Sequence, residues 1–488
     1  MKIIIVYDDN LEKSELISDI IGDKGFGDIV VRKKYIENDF KDKINNIYKD
    51  VVWIKIKNNS DYYELERNID MYNTDKLRIM HLFSNYIISD SKQAALSLKK
   101  LYYIDQTYGI MNDNYSFGAM FVDITSYKTF LKNIITGEKA FELVKKIPEK
   151  FNIDGLVNIG EFSNFIRCIT GDFDSRYFNS LIENEYTVVK RSSNKEKIKA
   201  EYEFYYLLPD DMKYWFVQPF EFVEEKEYAS YRMERLYMTD LSIKLVHGSM
   251  NDEEFIELLE KYFYFFSCRH QKKCSNEEYR KISDSLYIDK VNQRIEKLRS
   301  INEFSTIENI LEAANLNINT LKDKYFKLKE VIENLSVIDP VLVIGHGDPC
   351  FANAMYNKAT KTLKFIDPKG ATNENELWTD PYYDIAKLSH SICGRYDFFN
   401  NDLYEIYLDK DFSYKLEIPF QKKQYISIFK DMLERNGYDY YRVRIYEASL
   451  FLSMLPLHID NPHKVLGFVI NTNDILNELD QELNKGGK

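Results

Sequence analysis

The first 160 residues alternate short apolar runs with helix-like segments. Runs at 2–7, 51–56, 86–88 and 119–122 read as strands, and 91–103 carries helical spacing. Strands interleaved with helices predict an α/β sheet. Between 160 and 240 the pattern changes: 177–182, 186–190, 215–222 and 231–236 read as strands and 195–208 as a single helix, which predicts a small antiparallel sheet. From 251 onward helices dominate. Phe255, Leu258, Leu259, Tyr262 and Phe266 fall on one face of a helix over 253–269, the spacing of a buried stripe. Further helices are predicted over 286–299, 306–336, 402–408, 420–435, 440–455 and 472–484. They surround one non-helical island at 341–370, where a strand (341–344) leads into a polar loop and two short strands (354–356 and 363–366) joined by a turn. The predicted domains are 1–160, 161–240 and 241–488.

Composition narrows the functional classes. The 78 acidic and 66 basic residues leave a net charge of −12, so wide binding to a nucleic acid polymer or an anionic lipid surface is disfavoured. Five irregularly spaced cysteines argue against a disulfide framework and suit a reducing, cytoplasmic setting. The amino terminus meets acidic residues after a five-residue apolar run, unlike a signal peptide, and no window approaches a membrane span. The turn after the first strand, Asp8-Asp9-Asn10, places two carboxylates where a phosphate would sit in a dinucleotide fold. Gly22, Gly25 and Gly27 in GDKGFG match neither the Walker nor the Rossmann pattern and read as loop punctuation.

The island carries the chemistry. Its hairpin brings Asn353 and Asp367 toward one another, and an amide oxygen with a carboxylate suits magnesium, which takes oxygen ligands and completes its shell with nucleotide phosphates. Asp348 lies five residues before Asn353, a spacing that lets one carboxylate face an incoming hydroxyl while the amide holds metal.

The stretches HGDPCFAN at 346–353, FIDPKG at 365–370 and DPYYDIA at 380–386 together resemble the signatures of the aminoglycoside phosphotransferase and choline kinase group of protein-kinase-like enzymes. The resemblance covers roughly 170–460. It implies an α/β N-terminal domain followed by an α+β bilobal protein-kinase-like domain, with a small antiparallel-sheet N-lobe and a mostly helical C-lobe. It assigns Asp348 as catalytic base, places His346 beside it to shape the loop, gives magnesium to Asn353 and Asp367, and makes Asp384 a brace. Pro368 and Lys369 depart from the commoner form after the metal aspartate; Lys369 reads either as a phosphate contact or as a solvated turn residue.

An N-lobe must then supply a strand lysine for the ATP phosphates and a helix carboxylate to orient it. Lys190 and Glu201 fill these places, with Glu203 as competitor; Ser175 lies in a phosphate-covering loop at 171–179, and Tyr231 to Leu236, including Glu234, form the adenine hinge. The stretch 175–209 also resembles bifunctional bacterial capsule or lipopolysaccharide proteins with an N-terminal nucleotidyltransferase-like domain. That domain's glycine-rich, arginine-containing signature is absent here, so the N-terminal domain reads as degenerate.

The resulting expectation is an ATP- and Mg2+-dependent kinase of a small hydroxyl acceptor, a sugar or amino alcohol, in surface polysaccharide biosynthesis. Protein acceptors are disfavoured because His-Gly-Asp replaces His-Arg-Asp and no Ala-Pro-Glu follows within 30 residues of Asp367. One alternative is a nucleotide-binding pseudokinase scaffold for other biosynthetic enzymes. Another makes His346, Asp348 and Asp367 ligands of a hydrolytic metal site. The sequence does not decide oligomeric state, and a homo-oligomer is compatible with it.

Overall fold

A computed structural model describes residues 2–74, 77–113, 115–170, 182–183, 186–313, 315–336, 338–410, 413–420 and 422–486. The chain divides into two compact units, 1–174 and 175–488.

The first unit is built on a six-stranded sheet. Its order is Val51–Ile56, Lys2–Asp8, Leu77–Phe83, Tyr115–Phe121, Tyr108–Asn112, Lys150–Asn152. The first three strands are mutually parallel and Tyr115–Phe121 runs antiparallel to its neighbours. Ile3 to Tyr7 are all buried, the continuous apolar run expected of a strand covered on both faces. The predicted strand at 86–88 leaves this sheet and pairs instead with Leu156–Asn158. A helix, Phe162–Thr170, packs on the helix Glu15–Ile21 and the strand Val30–Val31, so the first unit runs past the boundary predicted at 160. The GDKGFG loop does more than punctuate: the Gly27 N–H donates to Asp9 Oδ1 at 3.0 Å, and a Cβ on Gly25 would stand 2.3 Å from Asp9 Oδ2. Only a glycine lets the loop close over that carboxylate.

The second unit begins with an antiparallel sheet in the order Ile182–Glu183, Thr187–Ser192, Ala229–Glu234, Pro219–Glu224. One helix, Lys195–Leu207, packs on it, started by Asn194, whose side chain accepts from the Lys197 N–H. The segment 215–218 lies ahead of its strand, with Trp215 and Phe216 buried in the aromatic core beside Phe265.

Helices fill the remainder. Asp252–Cys268 buries the apolar stripe read from its sequence. The span 306–336, predicted as one helix, is two, Phe304–Ala313 and Ile318–Leu335; Asn317 caps the second by accepting from the Asn319 and Thr320 N–H groups. The predicted helix at 402–408 is corrected to a strand, Glu405–Leu408, paired antiparallel with Tyr414–Glu417. The last helix, Pro462–Gly486, extends well beyond the predicted 472–484.

Within this helical body the island folds as its pattern predicts. Val341–Ile344 pairs with Gln271–Lys273 on one side and Trp378–Thr379 on the other. Ala354–Asn357 and Thr362–Phe365 form the hairpin, anchored by Phe365, whose ring centre is 4.6 Å from that of Phe265.

Candidate active site

Three segments converge on the loop after Val341–Ile344. The first is the loop itself. His346 is wholly buried; its Nδ1 accepts the Asp348 N–H at 3.0 Å and its Nε2 donates to the Ile366 carbonyl at 3.0 Å. This requires the neutral imidazole with the proton on Nε2, in keeping with burial pushing its pKa down against the opposing charges of Asp384 and Asp348. With both nitrogens spent, His346 is no metal ligand and touches no substrate; it ties the Asp348 turn to the strand end that carries Asp367. The hydrolytic metal reading loses its histidine on this geometry.

Gly347 has φ +82°, and a Cβ there would lie 2.5 Å from the Lys369 Cβ, so the turn needs glycine on both counts. Lys369 is exposed, and its N–H donates to the His346 carbonyl at 2.9 Å.

The second segment is the helix Pro381–Ile392, capped by Asp380, whose side chain accepts from the Tyr382 N–H. Asp384, Lys387 and Ser391 lie at spacings of three and four, hence on one face. Asp384 accepts from the His346 N–H at 2.9 Å and the Gly347 N–H at 2.8 Å, while Arg269 approaches its Oδ2 at 3.3 Å with both side chains fully buried. Lys387 Nζ is 3.0 Å from Asp348 Oδ1. Ser391 Oγ accepts the Phe351 N–H at 3.0 Å. One helical face therefore grips the loop at three successive points. Lys387 escaped the sequence reading, although its position three residues after Asp384 in a helix entered at Pro381 was the available signal.

Burial alone would raise the Asp348 pKa, but the Lys387 ammonium outweighs it and holds the carboxyl below the usual carboxylate range. Lys387 is raised in return, the Asp348 charge outweighing its burial. Asp348 keeps 39% of its side chain exposed, so it is ionised and reachable.

The third segment is the N-lobe sheet. Lys190 Nζ lies 2.6 Å from Glu201 Oε2 and 2.7 Å from Asp367 Oδ1, linking the strand, the helix and the loop after the hairpin. Glu201 is buried and also accepts from the Tyr231 hydroxyl at 3.2 Å, whereas Glu203 faces Lys199 at 3.7 Å. The geometry thus selects Glu201 over its competitor. Burial would lower the Lys190 pKa, yet Asp367 and Glu201 together raise it, so the ammonium stays charged.

Asn353 sits at the base of the hairpin: its carbonyl accepts the Ile366 N–H at 3.0 Å, and its side-chain Nδ2 donates to the Asp348 carbonyl at 2.9 Å. That bond turns the amide so that Oδ1 is the atom left for a cation. Asp367 follows at φ +55°. Among the described residues no cluster of three or more His, Cys, Asp and Glu side chains forms a closed metal site. An amide oxygen and a carboxylate at one hairpin base fit a cation that draws its other ligands from phosphates and water.

Tyr231 to Glu234, read as part of an adenine hinge, lie in the strand Ala229–Glu234 and pair with Lys190 to Thr187, and the Arg235 N–H donates to the Tyr186 carbonyl at 3.0 Å. Ser175, with the 171–179 loop, lies outside the described residues.

No family model matches the sequence, and no curated protein matches it. Solved structures do. The chain is similar to a thermostable mutant of aminoglycoside phosphotransferase APH(4)-Ia in its apo form, at 11% identity and a TM-score of 0.35, covering 60% of this chain and 87% of that one. A ternary complex of that mutant enzyme with ADP and hygromycin B matches at 10% identity and a TM-score of 0.36, covering 62% and 94%. Choline kinase from Cryptosporidium parvum Iowa II matches at 13% identity and 0.31, covering 64% and 88%. The residue roles rest on the distances given above and not on these likenesses.

Proposed function

We propose that residues 175–488 are an ATP-dependent kinase of a small hydroxyl-bearing acceptor, a sugar or amino alcohol destined for a surface polysaccharide. The observation that carries this reading is the placement of Lys190 between Glu201 and Asp367, together with an ionised Asp348 held against Lys387 on the loop after Val341–Ile344. A scaffold that only bound nucleotide would have no use for a reachable carboxylate held ionised.

In this reading Lys190 contacts the ATP phosphates, kept charged and aimed by Glu201. Asn353 and Asp367 would hold Mg2+, which when bound offsets charge on the transferring phosphoryl group. Asp348 accepts a hydrogen bond from the acceptor hydroxyl and orients its oxygen in line with the γ-phosphorus. The new O–P bond forms as the bond to the β-phosphate bridging oxygen breaks, ADP leaves, and the hydroxyl proton passes to Asp348. A loose transition state asks little basicity of that carboxylate and much of its position, which the Asp384, Lys387 and Ser391 face supplies.

The test is ADP release with MgATP across a panel of sugars, amino alcohols and nucleotide-linked sugars, followed by Asp348→Asn on the acceptor found. Turnover is expected to fall by about 10^3-fold, within the range for loss of a positioned general base, with ATP affinity within twofold of the parent. Turnover retained within tenfold removes Asp348 from that role, and no ADP from a broad panel removes the kinase reading.

A further inference from the structure

The first unit contains a cavity of about 620 Å³, a volume typical of small-molecule sites, at the carboxyl ends of its parallel strands. Its lining includes Asp8 and Asn10 after the first strand, Asn59 after the second, and Asn85 after the third. The chemistry of these walls is specific. Asn10 Nδ2 donates to Asn59 Oδ1 at 2.8 Å, and Asn85 Nδ2 donates to Asn158 Oδ1 at 3.0 Å. Asn85 Oδ1 is closed off from solvent without a hydrogen-bond partner. A carboxamide offers both donors and an acceptor, which matches a hydroxyl group, itself both donor and acceptor.

Aromatic rings complete the wall. Tyr86 is buried, whereas Tyr115 leaves 52% of its surface exposed and presents a flat apolar face. Such a face suits the C–H side of a sugar ring.

Charge argues against a phosphate. The lysines that line the cavity are Lys139, whose Nζ is 2.8 Å from Glu12, and Lys145, whose Nζ is 2.9 Å from Glu142. Asp8, Glu12 and Glu138 also line it, so three carboxylates face two paired cations. An anion entering here meets net repulsion.

We propose that this cavity binds an uncharged sugar ring or polyol, held by paired asparagine amides and stacked on Tyr115. The site is separate from the kinase machinery, and the proposal does not depend on phosphoryl transfer.

Saturation-transfer NMR on the full chain tests it, with glucose, mannose, galactose, N-acetylglucosamine, ribitol and glycerol as neutral probes and glucose 1-phosphate as the charged one. At least one neutral probe is expected to receive saturation. Its signal is expected to fall at least fivefold in Tyr115→Ala, whose side chain is half exposed, and in Asn85→Ala, with melting temperatures within 2 °C of the parent. The same signal persists in Asp367→Ala, which separates this cavity from the kinase site. Three results overturn the proposal: no neutral probe binds; the signal survives Tyr115→Ala and is lost in Asp367→Ala; or glucose 1-phosphate binds more tightly than every neutral probe.

Discussion

Each unit carries an aspartate at or just past the carboxyl end of a buried strand, and the two aspartates meet opposite fates. Asp8, at the end of Lys2–Asp8, is fully buried and held by the Tyr62 hydroxyl at 2.7 Å and by His81 Nε2 at 2.9 Å. Asp348, just past Val341–Ile344, keeps part of its surface open and faces an ammonium. A buried carboxylate held by a hydroxyl and an imidazole serves as a structural tie. One kept ionised by a cation, with a side open to solvent, is available for the chemistry proposed above. The difference lies in which helix packs against the turn, for it is the Pro381–Ile392 face that delivers Lys387.

That contrast can be broken at its buried brace. Asp384→Ala leaves Arg269 without its carboxylate in a site closed to water, and a loss of about 3–5 kcal/mol in unfolding free energy of the second unit is expected. Asp8→Asn, which keeps one side-chain acceptor for the Tyr62 hydroxyl and His81, should cost less, about 1–3 kcal/mol. Urea titrations of the two variants decide it; equal losses would show that the cation partner does not distinguish the sites.

A smaller change sharpens the electrostatic half. In Lys387→Met the ammonium that holds Asp348 down is gone while burial remains, so its pKa rises. Expected are a kcat lower by about 10–100-fold and an acid limb, with activity falling as pH drops from neutral, where the parent stays flat. A parent-like profile with kcat within twofold would sever Lys387 from the ionisation of Asp348.

The smallest effect comes from a third carboxylate in the second unit. Asp397 is fully buried, near Ser391 and Asp240, and among the described residues no basic side chain pairs with it. Burial, with the nearby Asp240 carboxylate adding to it, pushes it up to about 7. Its folded pKa therefore lies above the unfolded value of about 3.9, so the folded state binds the extra proton and this group costs stability as pH rises from about 4 to 7. Asp397→Asn is expected to be more stable than the parent at pH 8 by about 1 kcal/mol or more, the gain vanishing near pH 4. Melting curves at the two pH values check it, and a gain that does not change with pH would contradict the assignment.

Much of the second unit was legible because its signals are local. The hairpin at 354–365 follows from two short apolar strands and a turn, and the hairpin in turn sets Asn353 beside Ile366, the residue before Asp367. Lys190 and Glu201 were legible by order along the chain, but the choice of Glu201 over Glu203 needed the helix seated on its sheet, where Tyr231 meets one and solvent the other. Lys387 was hidden because an (i, i+3) lysine is ordinarily a solvated helix residue; its meaning appears only when the loop is docked. Residues 405–408 misread as helix because a short apolar run carries no period of its own, and its strand partner at 414–417 fixes it. In the first unit the sheet was legible in outline, but the cavity lining is drawn from strand ends far apart in sequence and left no motif.

Gly370 carries a last consequence. It stands at φ +90°, where a Cβ would press within 2.9 Å of the Ala200 and Glu201 backbone, and the next residue, Ala371, donates its N–H to the Ala200 carbonyl at 3.0 Å. The loop bearing Asp367 is thereby stitched to the helix bearing Glu201. Moving that helix away from Lys190 would have to tear the stitch or drag the aspartate along, so lysine, glutamate and aspartate are held as one piece.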